Sequence, residues 1–200
     1  MKKYSLLIAL LLPLLIFGQQ ESYYSLYRYN MNVINPAYAG AEAANMLSLT
    51  SRRQWASMDD APSTVAMSFS SARENNVGLG ISVVSDNVFI EQQTFAYVDF
   101  SYKLDMGESQ LYLGLKGGGN FYKADPSSLS SYTGGDPTQV ALSSFNPNIG
   151  AGAYYSASSF WVSFSIPRLF NSKRDGDLVV TAKDRVHSYV GGGAYIGIGN

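Results

Sequence analysis

The 200-residue chain contains no cysteine and only one histidine, His187. Without thiols the protein has no disulfide bonds and no thiolate nucleophile. A lone histidine at the start of a strand is a poor catalyst, because a Ser-His hydrolase also needs a nucleophile and an orienting group around it. No motif singles out such partners for His187. We therefore predict no catalytic residues, no cofactor and no bound metal.

Charged residues are scarce, at 14% of the chain, where soluble domains average about 25%. The formal net charge is −1 and the chain has no basic cluster, which excludes ordinary nucleic-acid binding. No small-molecule substrate is evident either. Aromatic residues make up another 14%, with 15 tyrosines. Few charges together with much tyrosine, glycine and serine are typical of a β-sheet that lies against lipid.

A long apolar run occurs only at the N-terminus, in "MKKYSLLIALLLPLLIFGQQ". Lys2 and Lys3 precede its apolar core and Gly18 is a small residue suited to cleavage, which predicts a signal peptide over residues 1–18. The alternative is an uncleaved anchor, but the run is short for a helical span of about 20 residues. Since no second run follows, a bundle of membrane-spanning helices is excluded.

Apolar residues recur at every second position in about eight segments of the mature chain. In "VGLGISVVS", for example, one face carries Val77, Leu79 and Ile81, while the other carries glycine and serine. A period of two over about 8–10 residues predicts β-strands. The segments are 45–55, 63–71, 77–85, 94–104, 110–118, 148–156, 159–167 and 187–199.

The second face of these segments decides between two all-β folds. A soluble β-sandwich would carry lysine and glutamate there, but this face carries mostly glycine, serine and tyrosine. Such residues suit a crowded, polar barrel interior, where Asp99, Lys103 and Lys116 are expected to be paired or wetted. We predict a transmembrane antiparallel β-barrel over residues 43–200. Because the chain stops at the glycine-rich "YIGIGN", we expect the barrel to be C-terminally incomplete.

The predicted connections differ in length. "SDNVFIEQQ" and "LDMGES" are interpreted as short to moderate connections, and residues 123–147 as a long loop rich in serine, glycine and aspartate. Barrels of this kind place short turns on the periplasmic side and long loops outside. Loop length is therefore the only indication of sidedness.

The sequence "RRQW" marks the end of the first predicted strand. Arg52 and Arg53 point to opposite faces of the strand, so at least one of them faces away from lipid. An arginine on the lipid face at mid-membrane costs ~2–4 kcal/mol. Trp55 then belongs to the interfacial aromatic girdle. Asp59-Asp60 before Pro62 suits a hairpin turn, and the alternative is a Ca²⁺ or Mg²⁺ ligand pair.

Several motifs taken together resemble the PorP/SprF family of the type IX secretion system. They are "YRYNMNVINPAYAG", "RRQW", "APSTVAMSFS", "NNVGLGISVVSD", "YKLDMGESQLYLGLKGGGNFYK" and "PNIGAGAYYSASSFWVSFSIPRLF". The resemblance covers essentially the whole mature chain in order. It implies a non-enzymatic outer-membrane β-barrel that assists secretion, or surface anchoring, of partner proteins. It also implies partners: secreted adhesins, gliding-motility proteins and periplasmic subunits of the secretion machine.

Residues 19–42 precede the first predicted strand and are assigned to a periplasmic N-terminal segment. Proline fixes its own φ and biases the residue before it, so Asn35-Pro36 is expected to break regular structure. Tyrosines join apolar area to a polar tip and are common at interfaces. This segment either docks a partner or packs as a plug on its own barrel, and the sequence supports the plug at least as well. The candidate partner-binding residues are Tyr23, Tyr24, Tyr27, Tyr29, Asn35, Pro36 and Tyr38.

Four functions follow from these observations. The leading hypothesis is the secretion-linked barrel, and the runner-up is a passive outer-membrane porin or channel. A soluble β-sandwich adhesin or lectin is a third. The fourth is an outer-membrane lipid hydrolase, which would depend on His187.

Overall fold

The structure is a computed structural model that describes residues 27–55, 57–58, 60–126, 141–170 and 186–196. Eight antiparallel strands form one sheet, in which strands adjacent in sequence are paired. The sheet is strongly curled into half a barrel, with an inner and an outer face. The all-β fold with about eight strands is confirmed. The strands are β1 Met46–Arg53, β2 Ser63–Ala72, β3 Val77–Val88, β4 Glu91–Met106, β5 Ser109–Ala124, β6 Leu142–Ser156, β7 Phe160–Ile166 and β8 Tyr189–Ala194.

The inner face is covered by the chain that precedes β1. This N-terminal segment, residues 27–43, contains 3-10 turns at Tyr27–Tyr29 and Pro36–Tyr38 and one α-helical turn, α1, at Met31–Ile34. No helix within the described ranges is long and apolar enough to cross a membrane. The expected start of the barrel at residue 43 precedes β1 by three residues, because Ala43 has a φ of 54° and lies in the turn before β1.

Alternate residues of each strand face opposite sides of the sheet. In β3, Leu79 and Ile81 are exposed on the outer face, while Gly78, Gly80 and Ser82 are buried on the inner face. The period-two pattern read from the sequence therefore gives the correct face in this strand. β2, β4, β5 and β7 show the same alternation.

Tight turns occur mainly at one end of the sheet, which we call the short-turn end. Asn75 and Asn76, between β2 and β3, have φ values of 63° and 64°, as type I′ hairpin turns require. Gly107 adopts a φ of 75° between β4 and β5. The long connections 125–141 and 167–188 join strands at the opposite end, the long-loop end.

Three predicted connections are shorter than expected. β3 extends to Val88 and β4 begins at Glu91, so most of "SDNVFIEQQ" is strand. Likewise, most of "LDMGES" belongs to β4 and β5, and β6 already begins at Leu142 within the predicted loop 123–147. In the first of these connections the reason is that both faces are polar at residues 85–87 and 91–94. The alternation disappears there, although the backbone ladder continues.

The core lies between the inner face and the N-terminal segment. Large apolar side chains mostly point outward, and the buried positions combine small apolar clusters with many polar groups. One cluster contains Ala66, Val84, Phe95 and Tyr97, with Val33 of the N-terminal segment packed against it. The N-terminal segment is therefore part of the core and not an appendage.

Candidate functional site

The Asn35-Pro36 step shapes the N-terminal segment and also ties it to the sheet. Asn35 is extended, with φ −135° and ψ 108°, so it ends α1 and caps the next helical turn. Its Oδ1 accepts a hydrogen bond from the backbone N–H of Ala37 at 2.9 Å. Its Nδ2 donates to the carbonyl of Ala153 in β6 at 3.1 Å. The predicted break in regular structure thus also holds the segment to the sheet.

Two more asparagines attach the segment to the other side of the half-barrel. The Nδ2 of Asn30 donates to Thr50 Oγ1 of β1 at 2.6 Å, and its Oδ1 accepts from Ser68 Oγ of β2 at 3.1 Å. The Nδ2 of Asn32 donates to the Phe69 carbonyl at 3.3 Å. Together the three asparagines join strands that lie far apart in the sheet.

Strand side chains bind main-chain carbonyls of the segment. Lys116 Nζ donates to the carbonyl of Asn32 at 2.8 Å and to that of Val33 at 3.1 Å. Ser165 Oγ of β7 donates to the carbonyl of Ile34 at 2.7 Å. These are carbonyls of α1, which a short helix leaves without internal partners. A cation at the C-terminal end of a helical turn is also favoured by its dipole.

Lys116 is itself paired across the sheet. Its Nζ lies 2.9 Å from Asp99 Oδ1, and both side chains are fully buried. The two residues are directly opposite each other in the β4–β5 register. Lys116 also donates to Ser82 Oγ at 3.2 Å and lies 5.2 Å from the centre of the Tyr97 ring. A buried charge is tolerated only when it is paired and hydrogen-bonded, and Lys116 meets both conditions.

Three inward glycines leave room for the segment's backbone. A Cβ on Gly78 would lie 1.9 Å from the carbonyl oxygen of Ala39, and one on Gly114 would lie 2.1 Å from the nitrogen of Ala37. A Cβ on Gly152 would lie 2.2 Å from Asn35 Oδ1. We call the inner surface formed by these glycines and Lys116 the lumen groove. Any side chain at those three positions would collide with the N-terminal segment.

An aromatic cluster packs the C-terminal part of the N-terminal segment against the sheet near the short-turn end. The ring of Tyr38 lies 4.5 Å from that of Tyr154, which in turn lies 5.7 Å from Tyr112 and 6.1 Å from Trp161. Burial, followed by the hydrogen bond with Tyr154, raises the pKa of Tyr38 above its ordinary value. The raised pKa means that this site disfavours the ionised form of the Tyr38 hydroxyl.

The predicted partner-binding residues fall into different environments. Asn35 and Pro36 are buried against the sheet and Tyr38 is half-buried, whereas Tyr29 is 61% exposed. The backbone of Tyr27 lies in the first 3-10 turn. Tyr23 and Tyr24 lie outside the described residues. Tyr29 is thus the one tyrosine of this set whose side chain is both described and largely exposed.

The predicted interfacial residues lie at the long-loop end of β1 and β2. Arg52 is partly buried on the inner-face side, and Arg53 is exposed on the same side as Leu49. Trp55 is 67% exposed, and Pro62 immediately precedes β2. These positions agree with the alternation expected of "RRQW". Whether Trp55 and the arginines meet a lipid interface stays a prediction.

The other candidates lie in connections between strands. Asp60 has a φ of 56° in the β1–β2 connection, and Asp59 lies outside the described residues. In the described ranges no group of three or more histidine, aspartate or glutamate side chains could hold a metal ion. His187 lies two residues before β8, which begins at Tyr189.

Sequence reasoning missed the importance of Lys116 and the three glycines. Asp99 and Lys116 are equally far from the Gly107-Glu108 turn, so the register of a two-residue hairpin already pairs them. A further signal was the spacing of Asn30, Asn32 and Asn35 before a proline.

Comparison with known proteins agrees with the fold. A family model described as "Type IX secretion system membrane protein PorP/SprF" matches residues 16–199, nearly the whole chain. No curated protein and no solved structure matched the chain. The matched region includes all eight strands, the N-terminal segment and the lumen groove. The chain therefore belongs to the PorP/SprF family of type IX secretion system membrane proteins, which is not a known enzyme family.

Proposed function

We propose that this protein is a non-enzymatic outer-membrane component of type IX secretion that assists secretion, or surface anchoring, of partner proteins. The observation that carries the proposal is the family match together with a half-barrel whose outer face is apolar. The predicted signal peptide at residues 1–18 supports export to the outer membrane. The partners in this proposal are secreted adhesins and gliding-motility proteins, and periplasmic subunits of the secretion machine.

The outer face supports a lipid environment. Soluble monomers rarely expose a continuous apolar patch of more than a few hundred Å². Here exposed apolar side chains cover neighbouring strands from β1 to β8. They include Leu47, Leu49, Val65, Met67, Phe69, Leu79, Ile81, Val98, Phe100, Leu113, Leu115, Ile149, Phe160, Val162, Phe164 and Val190.

Aromatic pairs occur on the outer face near both ends of the sheet. The ring centres of Phe121 and Phe145 lie 4.6 Å apart, towards the long-loop end. Tyr155 and Phe160 lie 5.8 Å apart towards the short-turn end. Two aromatic levels separated by an apolar band match the girdles of outer-membrane barrels. This arrangement supports a membrane that lies between the two ends of the sheet, and loop length alone favours placing the short-turn end in the periplasm.

The partner-docking part of the proposal rests on the start of the N-terminal segment. Arg28 and Tyr29 are exposed, and Tyr23 and Tyr24 precede them in the sequence. Tyrosine and arginine are enriched at protein interfaces. The remainder of the segment is seated in the lumen groove, so it would hold this docking strip in place.

A passive porin is the weaker alternative. In the described half-barrel, the inner face is covered by the N-terminal segment, and Lys116 and Asp99 neutralise each other there. An open, charged water path is what a porin lumen normally provides. The filled lumen groove therefore favours the secretion role over free diffusion of solutes.

The test is affinity purification of the tagged protein from outer membranes of its own host, followed by mass spectrometry. We expect secretion-machine subunits or one large secreted protein to be recovered with the native chain. Tyr29→Ser should reduce that recovery, whereas Tyr102→Ser, a matched change on the outer face, should not. A barrel that is recovered without partners and conducts ions in planar bilayers would favour the porin instead.

A further inference from the structure

The N-terminal segment is held in part through groups that many peptides could present. Lys116 and Ser165 bind three consecutive main-chain carbonyls, those of Asn32, Val33 and Ile34. Ser101 of β4 donates to a fourth, the carbonyl of Ala39. Carbonyl recognition does not depend on the side chain of the residue that is bound. The groove therefore recognises a backbone shape, one helical turn followed by an extended step.

Side-chain selection acts at several positions of the segment, among them Asn30 and Asn32, whose amides donate to β1 and β2. Ala37 and Ala39 are completely buried against the glycines of the lumen groove, so only small residues fit there. The side chain of Asn35 donates one hydrogen bond and accepts another, so this position requires an amide. The site therefore selects a peptide with an Asn-Pro step followed by small residues at alternate positions.

The covalent link between segment and sheet takes little part in this recognition. Residues 42–45, which connect the seated segment to β1, are all exposed. Many hydrogen bonds that hold the segment come from strands distant in sequence, including β5 and β7. Cutting the link would leave those contacts intact.

We propose that the lumen groove is a peptide-binding site in its own right, and that residues 30–40 occupy it as a ligand supplied in cis. Its ligand class is a short peptide with one helical turn, an Asn-Pro step and small residues after the proline. The segment is then an exchangeable plug, and not a fixed part of the sheet. The proposal does not depend on any secretion partner.

The experiment places a protease cleavage site in the exposed link, between Ala43 and Ala44 of the full chain. The purified protein is cut in mild detergent, and a fluorescent peptide of residues 27–43 is added. We expect the cut piece to stay bound after buffer exchange and then to exchange with the labelled peptide, measured by fluorescence anisotropy. A peptide of the same composition in scrambled order should not bind.

Variants test the named contacts. Lys116→Gln should speed dissociation of the labelled peptide by about tenfold or more, because charge-assisted hydrogen bonds are the strong ones. Lys103→Gln is the matched control, since Lys103 pairs with Asp105 at the rim and contacts no segment carbonyl. If the Lys116 variant does not fold, the same contrast is obtained on native protein with peptides carrying Asn35→Ala or Ala39→Leu. Both should bind more weakly.

Three results would overturn the proposal. The cut piece could leave at once with no binding of the labelled peptide, which would show that the groove has no affinity of its own. It could remain bound and never exchange, which would make it a fixed element of the fold. Equal binding of the native and scrambled peptides would remove the specificity argued from Asn35, Ala37 and Ala39.

Discussion

The two faces of the same strands follow different rules. On β5, Leu115 points outward and is 63% exposed, while its neighbour Lys116 points inward and is fully buried. The outer position requires only that its side chain is apolar. The inner side chain has an ion-pair partner and three hydrogen-bond acceptors at defined positions. Adjacent residues should therefore differ sharply in how many substitutions they tolerate.

The largest effect is expected from Lys116→Met on the inner face. The change leaves Asp99 buried without its partner, which typically costs ~3–5 kcal/mol. Urea unfolding in detergent should show that loss. The double variant Lys116→Met with Asp99→Leu should recover much of it, because no buried charge is left unpaired. A single variant as stable as the native chain would contradict the assigned role of the pair.

A charge on the outer face should give the next largest effect. Leu115→Arg puts arginine on the face that we assign to lipid, and near mid-membrane this costs ~2–4 kcal/mol. The stability measured after refolding into bilayers should fall, with little change for Leu115→Val. Equal stability of the arginine variant would argue that this face is not covered by lipid.

Glycine variants on opposite faces test the same difference between the faces, and we expect a smaller loss of stability from them. Gly114→Ala would place a Cβ against the backbone of Ala37, and such overpacking costs ~1–3 kcal/mol. Gly117→Ala is the matched control, because a Cβ there meets nothing within 4 Å. The same unfolding assay should separate the two variants. If both behave alike, the segment does not lie against Gly114 as described.

The smallest of the four effects is expected within the N-terminal segment. Asn35→Ala removes the cap of the Pro36–Tyr38 turn and the hydrogen bond to β6, and losing a cap typically costs ~1 kcal/mol. Limited proteolysis should then cut faster within residues 27–43, while the strands stay protected. Unchanged protection of the segment would mean that Asn35 does not anchor it.

The outer face could be read from the sequence because its signal is local. Alternating residues such as Leu111, Leu113 and Leu115 report on their own strand and on nothing else. Strand ends were less predictable, since Asp86, Gln92 and Lys123 continue the ladder without an apolar partner face. A two-residue period of apolar side chains identifies only the part of a strand that lies against an apolar surrounding. It does not identify the whole strand.

The lumen groove could be predicted only in part. Burial of Asp99 and Lys116 follows from their position on the polar face, and their pairing follows from the turn between them. The position of the N-terminal segment on the inner face cannot be derived from the sequence in this way. Its contacts join residues more than a hundred positions apart, such as Asn35 with Ala153, and no local pattern encodes such a contact.

This long separation has a consequence for the order of assembly. The hairpins from β1 to β7 close locally and pay little loop-closure entropy, whereas Ser165 meets Ile34 across 131 positions. The first part of the chain to be made is thus among the last to find its place, because its binding surface is complete only after β7 has joined the sheet. Seating of the segment would then report that the strands before it have been inserted in the correct register. A mispaired hairpin would shift Gly78, Gly114 or Gly152 to the outer face and leave the segment unbound.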